Sequence, residues 1–216
     1  MNEKEGVTKY TLQYSVAPAI EFAGLADLNA WRKLLYKLGL IGEDPNRYGG
    51  VGFGNLSVRV PPFDAPPRAR RFLITGTQTG GKPELSASDY SLVTHSDPEA
   101  NHLIAEGPVA PSSEALTHGM VYQLDQHVRV VMHVHSPDIW RHADALGIAV
   151  TSRHAAYGTP EMAAEIRQIL QTGAARGNIL VMGGHEDGVI SFGETAAQAG
   201  RALCDWLLRA FKPAHE

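Results

Sequence analysis

The chain has 216 residues, a length that suits one domain with a sizeable core. Its hydrophobic fraction of 44% is ordinary for a globular protein, and its net charge of −4 with scattered basic residues argues against nucleic-acid binding. The single cysteine, Cys204, rules out an internal disulfide. The N-terminus is polar and charged, and no apolar run reaches membrane-spanning length. We therefore expect a cytoplasmic protein with no membrane partner.

Hydrophobic periodicity predicts an alternation of helices and strands within a single α/β domain over 1–216. Residues 1–15 carry no clear period, and we interpret them as a loose N-terminal arm. In chain order, the patterns predict a helix over 25–38; strands over 55–60, 72–75 and 90–94; a helix between 111 and 125; a strand over 128–134; a short strand over 148–152; a helix over 159–171; strands over 179–182 and 189–192; and a helix over 194–211.

Two histidines alternate at the end of the predicted strand over 128–134. Successive side chains of a strand point to opposite faces, so His133 and His135 project side by side while Val134 faces the other way. A lone strand histidine is more often a surface or hydrogen-bonded core residue. Two on one face of an apolar strand need polar partners for both rings, and two neutral imidazoles can bind one divalent metal. The pair therefore predicts a metal site.

His185 is the best candidate for a third ligand, because it lies in a glycine-flanked turn that follows a buried strand. Glu186 and Asp187 compete with it, since carboxylates also bind zinc. We expect most of the remaining histidines to be solvated, because they have no partner at ligand spacing: His95, His102, His127, His142, His154 and His215.

Polar side chains gather where the helix after Pro111 begins. Ser112 or Ser113 is a good N-cap, and a helix N-terminus is also an anion site, so both interpretations hold together. Glu114 in the first turn would complement the helix dipole, and His118 four residues later shares its face. Either of these two groups can move a proton beside a metal-bound substrate.

The sequence resembles the class II aldolase/adducin family over roughly residues 20–210. Each motif alone is weak, but four motifs in the family's order are specific. The motifs are Gly54-Asn55-Leu56-Ser57, Thr75-Gly76-Thr77, Pro111-Ser112-Ser113-Glu114 with His118, and His133-Val134-His135. The resemblance implies an α/β fold with a central, mostly antiparallel sheet flanked by helices, assembled as a homotetramer.

The resemblance also implies roles for the site residues. His133 and His135 would bind Zn²⁺ or another divalent metal, and Glu114 would be the acid/base. The family's third ligand is a histidine just before a glycine, a position that Asp187 holds here. We expect His185 to replace it, because its imidazole matches the other two ligands. Asn55, Thr75, Gly76, Ser112 and Ser113 would surround the phosphate of a small-molecule substrate.

The function implied by the resemblance is that of a metal-dependent aldolase-type lyase. It would act on a small hydroxy-ketone or sugar phosphate through a zinc-stabilised enediolate. Related dehydratases, epimerases and decarboxylases share the part of the mechanism that the metal stabilises, so they stay open as alternatives. A non-catalytic interaction module like the adducin head shares the fold without the metal site, and the histidine pair and Glu114 argue against it.

Overall fold

The computed structural model of the chain describes residues 6–212, which form one eight-stranded sheet covered by helices. The strands are β1 (Thr11–Val16), β2 (Asn55–Arg59), β3 (Phe72–Thr75), β4 (Tyr90–Asp97), β5 (His102–Gly107), β6 (Val130–His135), β7 (Ile179–Val181) and β8 (Gly188–Gly193). The helices are α1 (Gly24–Lys37), α2 (Ala115–Leu124), α3 (Pro137–Arg141), α4 (Ala143–Leu146), α5 (Pro160–Gln171) and α6 (Ala196–Ala210). None of the helices among residues 6–212 combines the length and the apolar character that a membrane span requires.

The strand order is β1-β5-β4-β3-β2-β6-β8-β7. β1 and β5 run parallel, and every other pair of neighbours is antiparallel. The expectation of a central, mostly antiparallel sheet flanked by helices is therefore confirmed. β6 lies inside the sheet between β2 and β8, so its main-chain groups have hydrogen-bonding partners on both sides.

The sheet separates two apolar cores. One core lies under α1 and α6 and takes Met132 and Val134 from β6. The other lies under α2 and α5 and takes Val131 from the same strand. Because side chains alternate along a strand, His133 and His135 share the face of Val131 and turn towards α2 and α5. The alternation along β6 thus places both histidines in the interior, and both are completely buried.

Four expectations about local structure were wrong, and one strand, β5, was not predicted. Residues 11–15 of the expected arm form most of β1, which is held by parallel pairing with β5. The segment 148–152 makes only an isolated bridge, between Val150 and Val181. Glu114 is the N-cap of α2 instead of lying in its first turn, because its backbone (φ −96°, ψ 6°) is not helical. The N-cap is therefore neither Ser112 nor Ser113. Residues 1–5 of the arm and His215 lie outside the described residues.

The expectation of solvated histidines holds in part. His127, His142 and His154 are exposed, whereas His95 and His102 are half-buried where β4 pairs with β5.

Candidate metal centre

Three histidines converge at one end of the sheet. His133 and His135 come from the last residues of β6, and His185 comes from the turn between β7 and β8. One ring nitrogen from each residue lies within 4.8 Å of the others. The relative exposures of the three residues are 0%, 0% and 3%. Three imidazoles this close in a buried place form a donor set that suits a divalent metal such as zinc.

Strand pairing and close packing bring the turn that carries His185 to the end of β6. Gly188, the first residue of β8, pairs with His135, the last residue of β6. The turn is closed by three main-chain hydrogen bonds, from the amide of His185 to Met182, from the amide of Gly188 to His185 and from the amide of Met182 to Gly188. A Cβ on Gly184 would lie 2.0 Å from the carbonyl oxygen of Ala155, so only glycine fits there. The glycines that flank His185 thus permit the approach that delivers its ring.

The carboxylate of Glu114 lies against the histidine cluster. Its Oε1 is 3.0 Å from Nδ1 of His185 and 3.6 Å from Nε2 of His133, and the side chain is 1% exposed. Burial by itself raises the pKa of Glu114, but positive charge on His133 and His185 and the hydrogen bond from His185 outweigh it. The net effect lowers the pKa to about 2. The carboxylate is therefore ionised at neutral pH, and a cation held by the same histidines would act in the same direction.

His118 lies one helical turn beyond Glu114, and its amide donates to the Glu114 carbonyl over 3.2 Å. Its Nδ1 is 2.7 Å from the hydroxyl of Ser57, which is also 2.7 Å from the hydroxyl of Tyr122. Burial is the largest influence on His118, and charge on His133 adds to it, so its pKa falls to about 3 despite the opposing effect of Glu114. The ring is therefore neutral, and Ser57 fixes its orientation.

Aromatic rings surround the cluster, and the sequence analysis missed them. The centroid of the Tyr48 ring is 4.4 Å from that of His135, and the centroid of Tyr157 is 4.6 Å from that of His185. The hydroxyl of Tyr157 accepts a hydrogen bond from the amide of Val7 over 3.1 Å. Tyr48 and Tyr157 lie on loops more than 100 residues apart, with no periodicity or motif around them, so no local signal could identify them.

Four of the five expected substrate-binding residues line one cleft, together with glycines of the neighbouring loops. These four are Asn55, Gly76, Ser112 and Ser113. Asn55 pairs with His133 across β2 and β6, so the cleft adjoins the histidine cluster. Thr75 does not line the cleft. Its hydroxyl accepts from the amide of Leu56 over 3.2 Å, and its carbonyl accepts from the amide of Ser112.

The fold and the cluster together define an α/β protein with a buried three-histidine centre. The sequence pattern of the class II aldolase and adducin N-terminal domain family matches residues 46–206. The chain therefore belongs to the class II aldolase and adducin family, as the motifs predicted. The class II aldolases are metal-dependent, and the superfamily includes these lyases together with proteins of other activities.

Solved structures of the same fold agree with this assignment. L-Fuculose-1-phosphate aldolase from Thermus thermophilus aligns with a TM-score of 0.59 and 20% identity, over 86% of this chain and 89% of that one. A sugar-phosphate aldolase from Thermotoga maritima aligns with a TM-score of 0.60 and 16% identity, over 86% and 92%. The N-terminal class II aldolase domain of a conserved Thermoplasma acidophilum protein gives 0.56 and 16%, over 90% and 95%. No curated protein matches the chain. At these identities the likeness shows the fold alone.

Proposed function

We propose that the chain is a metal-dependent aldolase-type lyase that acts on a small hydroxy-ketone or sugar phosphate. The observation that carries the proposal is the buried three-histidine cluster with Oε1 of Glu114 only 3.0 Å from Nδ1 of His185. The family assignment supports the reaction class. Two structural neighbours are named as aldolases of fuculose-1-phosphate and of a sugar phosphate, which supports the substrate class.

His133, His135 and His185 would hold the metal, which we propose to be Zn²⁺. Three imidazoles are a frequent ligand set of catalytic zinc sites, and their burial keeps bulk water from competing with the substrate. When bound, the cation would supply Lewis-acid stabilisation of negative charge that develops on a substrate oxygen. A non-catalytic interaction module would not need these three side chains in the interior.

Glu114 would take a proton from the substrate and return it. The carboxylate is ionised, almost completely buried and placed beside two of the proposed ligands. His118 is the reserve candidate for this role, because its ring is neutral and its Nε2 has no hydrogen-bonding partner among the residues the structure describes.

The cleft beside the cluster would bind the phosphate of the substrate. Asn55, Ser112 and Ser113 offer side-chain donors there, and Gly76 brings the main chain to the surface of the cleft. Thr75 would support the cleft from outside it, by hydrogen bonds that hold the segments of Leu56 and Ser112 in place. We further propose a homotetramer, as expected for the family, in which a neighbouring subunit can contribute residues to the substrate's far end.

Product analysis tests the proposal. The zinc-loaded protein would be incubated with a panel of ketose phosphates and small keto acids, and the products identified by NMR. An aldehyde and a smaller ketone support a lyase. An isomer, loss of water or loss of CO₂ would instead indicate the epimerase, dehydratase or decarboxylase. Absence of bound metal and of zinc affinity would contradict the enzyme proposal and favour the interaction module. His133→Ala is the control for contaminating activity.

A further inference from the structure

Beside the histidine cluster, a short hydrogen bond joins two residues from distant parts of the chain. The hydroxyl of Tyr48 donates to Oδ2 of Asp187 over 2.6 Å. Both residues have left-handed backbone, with φ of 51° and 61°. Side chains other than glycine adopt this region at a cost, which surrounding contacts must offset. The pair therefore marks a place where tertiary contacts maintain a geometry that the local chain disfavours.

Tyr48 contacts the cluster directly. Its ring meets that of His135 edge-on, at an interplanar angle of 67°. The guanidinium of Arg47 lies 4.9 Å from the centroid of the Tyr48 ring and donates to its hydroxyl over 2.7 Å. Burial, and then the hydrogen bond to Asp187, raise the pKa of Tyr48, so the phenol keeps its proton. Hydrogen-bond donation therefore runs in one direction, from Arg47 to Tyr48 to Asp187.

Asp187 connects the two segments that carry the histidines. It lies on the turn of His185, two residues further along the chain. Its main-chain carbonyl accepts from the amide of Ser136 over 2.8 Å, immediately after His135. One residue thus links the end of β6 to the turn between β7 and β8, and its carboxylate ties both to Tyr48. Displacing Asp187 would change the separation between the rings of His135 and His185.

We propose that Tyr48 and Asp187 are positioning residues that hold His135 and His185 in the geometry required for metal binding, and that Asp187 is not a ligand. The inference rests on the metal site of the proposed function. The carboxylate of Asp187 is engaged by Tyr48, whereas the nitrogen atoms that converge belong to the three histidines. Groups that hydrogen-bond metal-binding histidines typically contribute about 10- to 100-fold to metal affinity. Tyr48 contacts His135 through its ring instead, so we expect the lower end of that range.

Tyr48→Phe tests the proposal, because it keeps the ring against His135 and removes only the hydroxyl. We expect the Zn²⁺ affinity, measured by competition with a chromophoric chelator, to fall about 10-fold. The visible spectrum of the Co²⁺ form should change as well, because the ligands would be oriented differently. Tyr14→Phe is the matched control. It removes an equally short hydrogen bond, 2.6 Å to the carbonyl of Gly107 at the sheet edge, and should leave affinity and spectrum unchanged.

Asp187→Asn separates a positioning role from a ligand role. Asparagine tolerates left-handed backbone and still accepts from Tyr48, but without the strengthening that a charged acceptor gives. Its loss of affinity should therefore be smaller than that of Tyr48→Phe. If Asp187→Asn abolishes zinc binding while Tyr48→Phe binds normally, Asp187 is a ligand and the inference is overturned. Unchanged affinity and spectrum in Tyr48→Phe overturn it too. Absence of zinc binding by the unmodified chain contradicts the proposed function itself.

Discussion

Replacing Glu114 by glutamine separates proton transfer from structural support. The amide keeps the shape of the side chain, whose Oε1 lies 3.0 Å from Nδ1 of His185, but it cannot take up a proton. General acid/base help is worth about 10² to 10⁴ in rate. Because Glu114 is only 1% exposed, water cannot readily reach the site and take over the proton transfer. We therefore expect the rate to fall by about 10³ to 10⁴.

The loss corresponds to about 4 to 5.5 kcal/mol in the activation barrier. A purely structural carboxylate would act differently, because losing a charged hydrogen-bonding partner costs about 1.5–3 kcal/mol of folding stability and leaves the barrier unchanged. Zinc should be retained in either case, since three histidines would hold it. Metal content, melting temperature and turnover of one variant therefore distinguish the two roles.

A suitable assay follows exchange of the proton next to the carbonyl of a small hydroxy-ketone phosphate with solvent deuterium, by NMR. It reports proton transfer even where the second product is unknown. Glu194→Gln, at a carboxylate with 66% side-chain exposure, is the control and should exchange at the normal rate. Normal exchange in zinc-loaded Glu114→Gln would refute the reasoning and leave His118 as the next candidate base.

Four other expectations can be checked on the same protein. His133→Ala should lose zinc and activity but keep its circular dichroism, because apolar neighbours anchor β6. His185→Ala should bind zinc far more weakly, and full occupancy by metal analysis would contradict its role. Burial lowers the pKa of His118 to about 3 and that of His135 well below its usual value, so only the unfolded chain takes up these protons below about pH 6.5. Metal-free protein should therefore lose stability as the pH falls from that value, by up to about 1.4 kcal/mol per pH unit for each ring, measured by thermal melting. Light scattering at micromolar concentration should show a tetramer, and a monomer would contradict it.

The sequence was most informative where one short segment carries both a clear hydrophobic periodicity and side chains that can bind a metal. The alternation around His133 and His135 predicted a strand with both rings on one face, and the structure has β6 there. The helices α1 and α6 were predicted from apolar residues at three- and four-residue steps, which reflect one buried face. In such segments the local pattern and the tertiary environment agree.

The sequence was least informative where a partner from far along the chain decides the conformation. β1 pairs with β5 in the described sheet, and β5 also pairs with β4, so segments far apart in the sequence hold both strands in extended form. The strand expected over 148–152 has the right composition but only one bridge to β7. In the site, the positions of Tyr48 and Tyr157 depend on loop packing that no spacing rule describes. Prediction of these features needs the three-dimensional arrangement.

The parallel pairing of β1 has a consequence for how the chain is made. Val16 at the end of β1 and His102 at the start of β5 are 86 positions apart, so the first strand is synthesised long before its only neighbour in the described sheet. At roughly 5–20 residues per second, β1 waits on the order of 5 to 20 s on the ribosome without a partner. During that time the main-chain groups of this segment have no β5 to pair with and are open to other nascent chains. The antiparallel strands β2, β3 and β4 are neighbours in both sequence and sheet, so they can assemble while β1 still waits.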